Sequence, residues 1–225
     1  MNKMTVYYAD TANLEQLKKL KDLHLVEGCT TNPGIMAKEG RGYSKETIQQ
    51  IIDVVNAPVS VELTSEDPQK MLEEARMYYS WNRAYVVVKV PFENTKGECQ
   101  LAIVAKLAAE GIPTNVTCCM NLTQMFAAAQ AGATYTSIFW GRVSDQGYNA
   151  EEVTNEIVKV FKMSNIKTKI IVGSLRQWRT SRAHCAPGAD ILTVTPDVLM
   201  KSLHHPRSVE TQKEFLDTYA KVVGK

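Results

Sequence analysis

A single lysine interrupts an apolar stretch near the middle of the chain, Tyr85-Val-Val-Val-Lys-Val-Pro-Phe92. The valines and the tyrosine are typical of a strand that is covered on both faces. Lysine is rarely found in such a strand without a partner or a task. Burial destabilises the ammonium relative to the neutral amine, so Lys89 would become a usable nucleophile. The alternative is a lysine at the strand end whose ammonium reaches solvent beside Pro91.

Candidate functional residues also stand where other β-rich runs end. Together with Lys89, these residues are Asp10, Thr31, Asn32, Glu62, Asn115, Thr117, Ser137, Phe139, Ser174 and Arg176. A packed core alone would place aliphatic side chains at most of these positions. Because Asn115 and Thr117 are two residues apart, they project to the same side of their strand.

These residue types fit carbon–carbon bond chemistry through a lysine imine. An amine adds to a ketone, water leaves, and the protonated imine draws electrons from a neighbouring C–C bond. Such a cycle needs acid–base groups, for which Asp10 and Glu62 are available. Arg142 and Arg176 could bind an anionic group through the paired N–H donors of their planar guanidinium groups. In simpler interpretations, Asp10 caps the following helix, Glu62 is a solvated loop acid, and the arginines form surface ion pairs.

The elements that would position these residues alternate along the whole chain. The predicted strands are Thr5–Ala9, Val26–Thr31, Val59–Leu63, Tyr85–Val90, Pro113–Thr117, Tyr135–Phe139, Lys169–Gly173 and Ile191–Val194. The predicted helices are Leu14–Asp22, Lys45–Val55, Pro68–Ser80, Lys96–Glu110, Leu122–Ala131 and Glu151–Met163, with shorter ones after Ser174 and Pro196. This alternation predicts an α/β fold, a (β/α)8 TIM barrel in a single domain over residues 1–225, with an extra helix at about 208–223. An open doubly wound sheet is the alternative, but its Gly-rich turn is missing after the first strand.

Composition excludes several classes of protein. A net charge of +2 offers no strong field for a polyanion, so we expect no nucleic-acid partner. No apolar run is long enough to span a membrane, and the first residues lack the pattern of a secretion signal. The cysteines, Cys29, Cys99, Cys118, Cys119 and Cys185, show no metal-site spacing and suit a reducing compartment. We therefore expect a cytoplasmic protein with no membrane partner.

Six short motifs resemble the consecutive signatures of the transaldolase family. They are ADTANL (9–14), GCTTNPGI (28–35), VVVKVP (86–91), EGIPTNVT (110–117), AGATYTSIFWGR (131–142) and VGSLR (172–176). Their order and spacing are similar to the short subfamily that also contains fructose-6-phosphate aldolases. The resemblance extends over practically the whole chain.

The resemblance implies a role for each matched residue. Lys89 would form the Schiff base, Asp10 would act on the hydroxyl of the bond that breaks, and Glu62 and Thr117 would activate the catalytic water. The residues expected to contact substrate are Thr31, Asn32, Asn115, Ser137, Phe139, Arg142, Ser174 and Arg176, the last three of them holding an anionic group. Family members need no metal and no dissociable cofactor. Their substrates are small sugar phosphates or related sulfosugars.

Two positions distinguish the branches of the family. Aldolases typically carry glutamine at position 62 and tyrosine at 139, whereas transaldolases resemble this chain in having Glu62 and Phe139. A phenol near the catalytic water supplies a proton donor that phenylalanine lacks. The resemblance therefore favours transfer of a dihydroxyacetone unit over its release.

Two tryptophans depart from the usual family pattern. Trp140 replaces a valine and Trp178 a proline, both beside the arginines expected to bind the anion. They would ordinarily be core or interface aromatics, but an indole there would also change the pocket for a tetrahedral anion. These departures resemble the branch that uses 6-deoxy-6-sulfofructose, releases sulfolactaldehyde, and passes the unit to glyceraldehyde 3-phosphate to give fructose 6-phosphate. Ordinary phosphosugar transaldolase of the pentose phosphate pathway and fructose-6-phosphate aldolase are the alternatives.

Functions of other classes remain open on the residues alone. A non-catalytic binding barrel would be expected to lose polar residues at its strand ends, and this chain keeps them. A pyridoxal-phosphate enzyme would also use a strand lysine, but no phosphate-binding motif accompanies Lys89. The family resemblance further implies a homo-oligomer, a decamer of two stacked pentamers, in which the C-terminal helix reaches a neighbouring subunit.

Overall fold

The chain forms one closed barrel of eight parallel strands in chain order. The computed structural model describes residues 4–176 and 188–223. The strands are β1 (Val6–Asp10), β2 (Cys29–Thr30), β3 (Val59–Glu62), β4 (Val86–Pro91), β5 (Thr114–Cys119), β6 (Tyr135–Phe139), β7 (Lys169–Leu175) and β8 (Ile191–Val194). Because β1 pairs with both β2 and β8, the sheet has no open edge. The predicted (β/α)8 barrel is confirmed, and the open-sheet alternative is excluded.

Helices alternate with the strands, and every described helix except the last contains buried residues. They are α1 (Leu14–Asp22), α2 (Pro33–Lys38), α3 (Lys45–Val55), α4 (Pro68–Trp81), α5 (Leu101–Ala109), α6 (Leu122–Gln130), α7 (Trp140–Asp145), α8 (Ala150–Met163), α9 (Pro196–Leu203) and the predicted C-terminal helix α10 (Pro206–Val223). Within the described ranges, none of these helices combines the length and the apolar character needed to cross a membrane.

Local capping explains why several helix bounds were predictable. The N-cap of α1 is Asn13, whose Oδ1 accepts the Gln16 amide at 3.0 Å. Asp67 does the same for α4 by accepting the Lys70 amide at 2.9 Å, and Pro68 fits the first turn. α1 and α3 have the predicted bounds. Asp10 is therefore not the cap of the first helix.

Other helices differ from the prediction. α5 begins at Leu101 rather than Lys96, because the Asn94 side chain accepts the amides of Lys96 and Glu98 and holds a turn there. Gly97 completes this turn with φ 77°, a conformation that favours glycine. The short helices α2 and α7 were not predicted. The helix expected directly after Ser174 lies outside the described residues.

The inside of the barrel is apolar at one end and polar at the other. The amino-terminal end is filled by a buried cluster consisting of Tyr8, Val87, Tyr135, Ile171 and Ile191. Side chains two residues apart on a strand share a face, so each cluster member is followed by an inward residue one layer higher. These followers are Asp10, Lys89, Ser137, Gly173 and Thr193, and all of them line a cavity at the carboxyl end. The apolar cluster thus forms the floor on which the polar site stands.

Candidate active site

A cavity of about 120 Å³ opens among the carboxyl ends of the strands, where barrel enzymes place their chemistry. Its wall consists of Asp10, Thr30, Asn32, Lys89, Asn115, Thr117, Ser137, Phe139, Arg142, Gly173, Ser174 and Thr193. The wall draws on residues from every strand but β3. Most of the predicted site residues are therefore brought together.

Lys89 is buried on this wall, with only 4% of its surface exposed. Its Nζ lies 2.8 Å from Oε2 of Glu62 and donates a hydrogen bond of 3.0 Å to the carbonyl oxygen of Thr31. The sheet register explains the first contact, because Glu62 on β3 stands directly beside Lys89 on β4. The ammonium does not reach solvent beside Pro91, so the strand-end alternative is excluded.

Glu62 and Thr117 each present a buried oxygen without a hydrogen bond among the described residues, Oε2 and Oγ1 respectively. The approach of Lys89 to Oε2 is short but does not have hydrogen-bond geometry, so the pair is an ion pair only. Glu62 borders a second cavity together with Thr64, Glu66 and Glu93, and it also contacts Lys89 on the wall of the first, so it is not a solvated loop acid. Buried unsatisfied oxygens are what an ordered water or a ligand hydroxyl would satisfy.

Asp10 lies at the end of β1, held by the neighbouring strand. Thr30, its register partner on β2, donates a hydrogen bond of 2.7 Å from Oγ1 to Oδ1 of Asp10. Burial raises the pKa of Asp10 above its ordinary value, and the charge of Glu62 adds to the rise. Lys89 and the Thr30 hydroxyl act in the opposite direction. A carboxyl group with a raised pKa is suited to exchange protons with a substrate.

An amide and two hydroxyls form a rigid polar network opposite Asp10. Asn115 accepts a hydrogen bond of 2.7 Å from the Ser137 hydroxyl and donates one of 3.1 Å to Ser60 Oγ. Asn32 is fixed differently, because its Oδ1 accepts the Ile35 amide at 2.9 Å and caps α2. Its Nδ2 is therefore the group left to donate to a ligand. These contacts fix the orientation of the amides before any substrate binds.

The far side of the cavity carries a cation and a strained backbone. The Arg142 guanidinium lies over the Phe139 ring, with Cζ 5.9 Å from the ring centroid. Ser174 has φ 60°, which is unusual for a residue with a side chain. A Cβ on Gly141 would overlap the Ser174 carbonyl oxygen, so this glycine allows the end of β7 to approach the first turn of α7. Arg142 and Ser174 thereby face one cavity.

Three predicted site residues lie elsewhere, and a fourth lies outside the described residues. Thr31 points away from the cavity, where its Oγ1 donates to the Ser60 carbonyl oxygen at 2.7 Å; only its carbonyl oxygen reaches Lys89. Arg176 is half exposed and pairs with Asp145 at 2.6 Å. Trp140 packs against the outer core, and its buried Nε1 has no hydrogen-bond partner in the described part of the chain. Trp178 lies outside the described residues.

Two threonines on the wall, Thr30 and Thr193, were not among the predicted residues. Strand phase could have identified both of them. Thr30 stands two residues before Asn32, and Thr193 two residues after the buried Ile191, so each shares an inward face with its neighbour. Thr31, the last residue of its β-rich run, was predicted in place of Thr30, and no residue of the eighth strand was predicted.

Comparison with known proteins supports the resemblance. The model of the transaldolase/fructose-6-phosphate aldolase family matches residues 7–223. A probable transaldolase of Roseiflexus castenholzii is 41% identical over 199 residues, which cover 88% of this chain and 89% of that protein. A probable transaldolase of Heliobacterium modesticaldum is 36% identical over 219 residues, covering 97% of this chain and 99% of that protein.

Among solved structures, a mandelate oxidase variant with an FMN adduct matches with a TM-score of 0.60. The match covers 88% of this chain and 65% of that one, but at 14% identity it bears on the fold alone. The sequence matches go further, because they cover nearly the entire length of both partners. The chain belongs to the transaldolase/fructose-6-phosphate aldolase family of enzymes.

Proposed function

We propose that the protein is a transaldolase that works through an imine on Lys89. The observation that carries this proposal is the buried Lys89 amine on the cavity wall. This amine contacts the carboxylate of Glu62, and the carboxylate of Asp10 lies on the same wall. The amine adds to the ketone carbon of a donor sugar, and the resulting carbinolamine loses water to give a protonated imine. Asp10 then takes the proton from the hydroxyl two carbons from the imine carbon.

Removal of this proton breaks the adjacent C–C bond. The oxygen becomes the carbonyl of a released aldehyde, and the bonding electrons pass to the imine nitrogen, leaving an enamine on Lys89. The enamine attacks an acceptor aldehyde, Asp10 returns the proton to the new hydroxyl, and water releases the product. The unsatisfied oxygens of Glu62 and Thr117 supply a place for the water that leaves and returns. Asn32, Asn115 and Ser137 hold the hydroxyls of the three-carbon unit.

We favour transfer to an acceptor over release of free dihydroxyacetone. Hydrolysis of the enamine first needs a proton at carbon, and a phenol beside the catalytic water would supply one. Phe139 lines the cavity at the position where aldolases of the family carry tyrosine. A ring without a hydroxyl leaves the enamine to react with an aldehyde.

For the donor we propose 6-deoxy-6-sulfofructose, with sulfolactaldehyde as the released aldehyde and glyceraldehyde 3-phosphate as the acceptor. The support is the charge at the far side of the cavity. Arg142 has no carboxylate partner among the described residues, whereas Arg176 is already neutralised by Asp145. One uncompensated cation and the Ser174 hydroxyl suit a sulfonate, which carries one charge, better than a phosphate, which carries about −1.5 to −2.

An ordinary phosphosugar transaldolase is the second candidate. The relatives described above carry the name probable transaldolase, without a sulfosugar donor. Trp140 packs against the core and does not line the cavity, so it does not support a sulfosugar donor; the support comes from the charge of Arg142. The two candidates share the Lys89 chemistry and differ only in the donor anion.

Borohydride trapping tests both levels of the proposal. The protein is incubated separately with fructose 6-phosphate and 6-deoxy-6-sulfofructose, reduced, and measured by intact mass and peptide mapping, with Lys89→Arg as the control. We expect a dihydroxyacetone adduct on Lys89, formed faster from the sulfosugar. Trapping by the phosphosugar alone would contradict the donor, and absence of any adduct on Lys89 would contradict the mechanism.

A further inference from the structure

Behind Asp10, two threonine hydroxyls form a short chain across three neighbouring strands. Thr30 Oγ1 lies 2.7 Å from Asp10 Oδ1, and Thr193 Oγ1 lies 2.5 Å from Thr30 Oγ1. Both threonines are buried, with 2% and 7% of their surface exposed. Strands β8, β1 and β2 are consecutive in the closed barrel, so the chain of hydroxyls is held by backbone pairing on both sides.

Proton counting determines which hydroxyl is the donor at each contact. A threonine hydroxyl has one proton to give and can accept through its lone pairs. When Asp10 is ionised it only accepts, so the single Thr30 proton points to Asp10. In the 2.5 Å contact the donor must then be Thr193, since Thr30 has no further proton to give. The Thr193 hydroxyl thus holds the Thr30 proton on the carboxylate.

We propose that Thr193 is a positioning residue that, through Thr30, keeps Asp10 oriented and ionised for proton transfer. The inference rests on the proposed function, because it concerns the step in which Asp10 acts. In that step the proton moves from the substrate hydroxyl to Asp10 and later returns to the new hydroxyl. No proton leaves through the threonines; they only rotate to match the charge of Asp10.

The other groups facing Asp10 give the direction of the expected pH effect. Lys89 on β4 and Lys38 on α2 favour the ionised form of Asp10, and Glu62 on β3 disfavours it. The buried Cys29 thiol on β2 also lies near the Asp10 carboxyl group. Burial dominates and raises the pKa of Asp10. The Thr30 hydrogen bond lowers this pKa, so weakening the bond moves the pKa further up. As the pH falls, Asp10 would then become protonated at a higher pH than in the parent protein. Activity that needs the ionised form of Asp10 would be lost at that higher pH.

Thr193→Val tests this role because valine removes the hydroxyl but keeps both branches of the side chain. With fructose 6-phosphate as the probe, we expect single-turnover aldehyde release to slow by roughly tenfold, the scale of one hydrogen bond to a charged group. The acid limb of its pH profile should move to higher pH. Borohydride trapping of the uncleaved donor, detected as the adduct of the intact sugar on Lys89, should be unchanged, since imine formation precedes the Asp10 step and does not use the hydroxyl chain.

Thr193→Ser is the matched control, because serine retains the hydroxyl and loses only a methyl group. If the hydroxyl that donates to Thr30 is the group that matters, Thr193→Ser should have the parental pH profile and a cleavage rate within about twofold of the parent. An unchanged cleavage rate and profile in Thr193→Val would overturn the inference while leaving the Lys89 imine intact. Equal loss of trapping and cleavage in that variant would reduce Thr193 to a structural residue and overturn it as well. If the parent protein forms no adduct, the proposed function itself fails.

Discussion

The two arginines expected to bind the substrate anion differ in their electrostatic state. Arg142 lies on the cavity wall, over the Phe139 ring, whereas Arg176 is held outside the wall by Asp145 at 2.6 Å. An anion that recruits Arg176 must compete with this carboxylate. This competition reduces the magnitude of the binding free energy more for a substrate whose binding depends on both arginines. Asp145 is therefore expected to discriminate between donor anions of different charge.

Replacing Asp145 by asparagine should free Arg176 for the substrate. We expect the KM for fructose 6-phosphate to fall by about two- to fivefold, the range of an exposed ion pair, with kcat unchanged. The KM for 6-deoxy-6-sulfofructose should change less, because its anion carries less charge. Steady-state assays with both donors measure this at constant ionic strength, since such effects are screened by salt.

Glu110→Gln is the matched control for this change. It removes a carboxylate from another exposed ion pair, the Arg76–Glu110 pair at 2.6 Å, which lies away from the cavity wall. Its KM values should equal those of the parent. A fall in KM that is equal for both donors, or that also appears in Glu110→Gln, would contradict discrimination by Asp145.

The double change Phe139→Tyr and Glu62→Gln should convert transfer into release. The phenol supplies a proton to the enamine, and glutamine matches the pattern of the aldolases in the family, so free dihydroxyacetone should form without an acceptor. We expect its rate to rise on the order of tenfold or more, within the range of general acid catalysis. Reduction of dihydroxyacetone with NADH by a coupling enzyme measures this rate.

Phe139→Leu is the control for this change, because leucine removes the phenylalanine ring without adding a phenol. It should not increase the release of dihydroxyacetone, although it removes the surface beneath Arg142. Should the parent already release dihydroxyacetone as fast as it transfers the unit, the choice of a transaldolase would be refuted.

At the scale of elements, the site follows from the two-residue period of the strands. Tyr8 and Val87 belong to the apolar floor, and Asp10 and Lys89 follow them on the cavity wall. The sequence alone indicated the strands, the barrel and Lys89, because β-rich runs and helix caps are local signals. The face of Thr30 was missed because β2 has only two residues, so its phase is indicated only by the two-residue spacing to Asn32. Contacts between distant segments, such as the 2.5 Å contact of Thr30 with Thr193, appear only when the barrel closes.

The floor of the barrel depends on a glycine at the start of β2. A Cβ on Gly28 would overlap the Tyr8 ring, which is buried beneath Asp10. Gly28→Ala should therefore lower the free energy of unfolding by about 1–3 kcal/mol, the usual cost of overpacking a filled core. Urea unfolding followed by circular dichroism measures the change at one fixed protein concentration.

Gly42→Ala is the corresponding control, because no described atom lies within 4 Å of the position that its Cβ would take. Its stability should stay within about 0.5 kcal/mol of the parent, as for most surface substitutions. Equal stability of Gly28→Ala and Gly42→Ala would show that Tyr8 can move, and that the floor is not rigid.

At the scale of the whole molecule, α10 is an unusual helix because none of its residues is buried. Phe215, Tyr219 and Val222 recur with helical spacing, and Leu216 and Val223 lie next to them; all five are exposed. A helix with such an apolar stripe normally buries it against another surface. Together with the family resemblance, this supports our proposal that α10 packs on a second copy of the chain, within a decamer built from two pentamers.

Deletion of residues 208–225 should therefore break the assembly without unfolding the barrel, since no buried residue of the fold lies on α10. Light scattering coupled to size-exclusion chromatography should show a decamer for the parent and a much smaller particle for the deletion. The double change Phe215→Ser and Tyr219→Ser should act in the same direction by removing the centre of the stripe. Lys213→Ser with Asp217→Ser, on the polar side of α10, should leave the mass unchanged. An unchanged mass after the deletion would show that the subunits associate through the barrel itself, and that the apolar stripe of α10 has another partner.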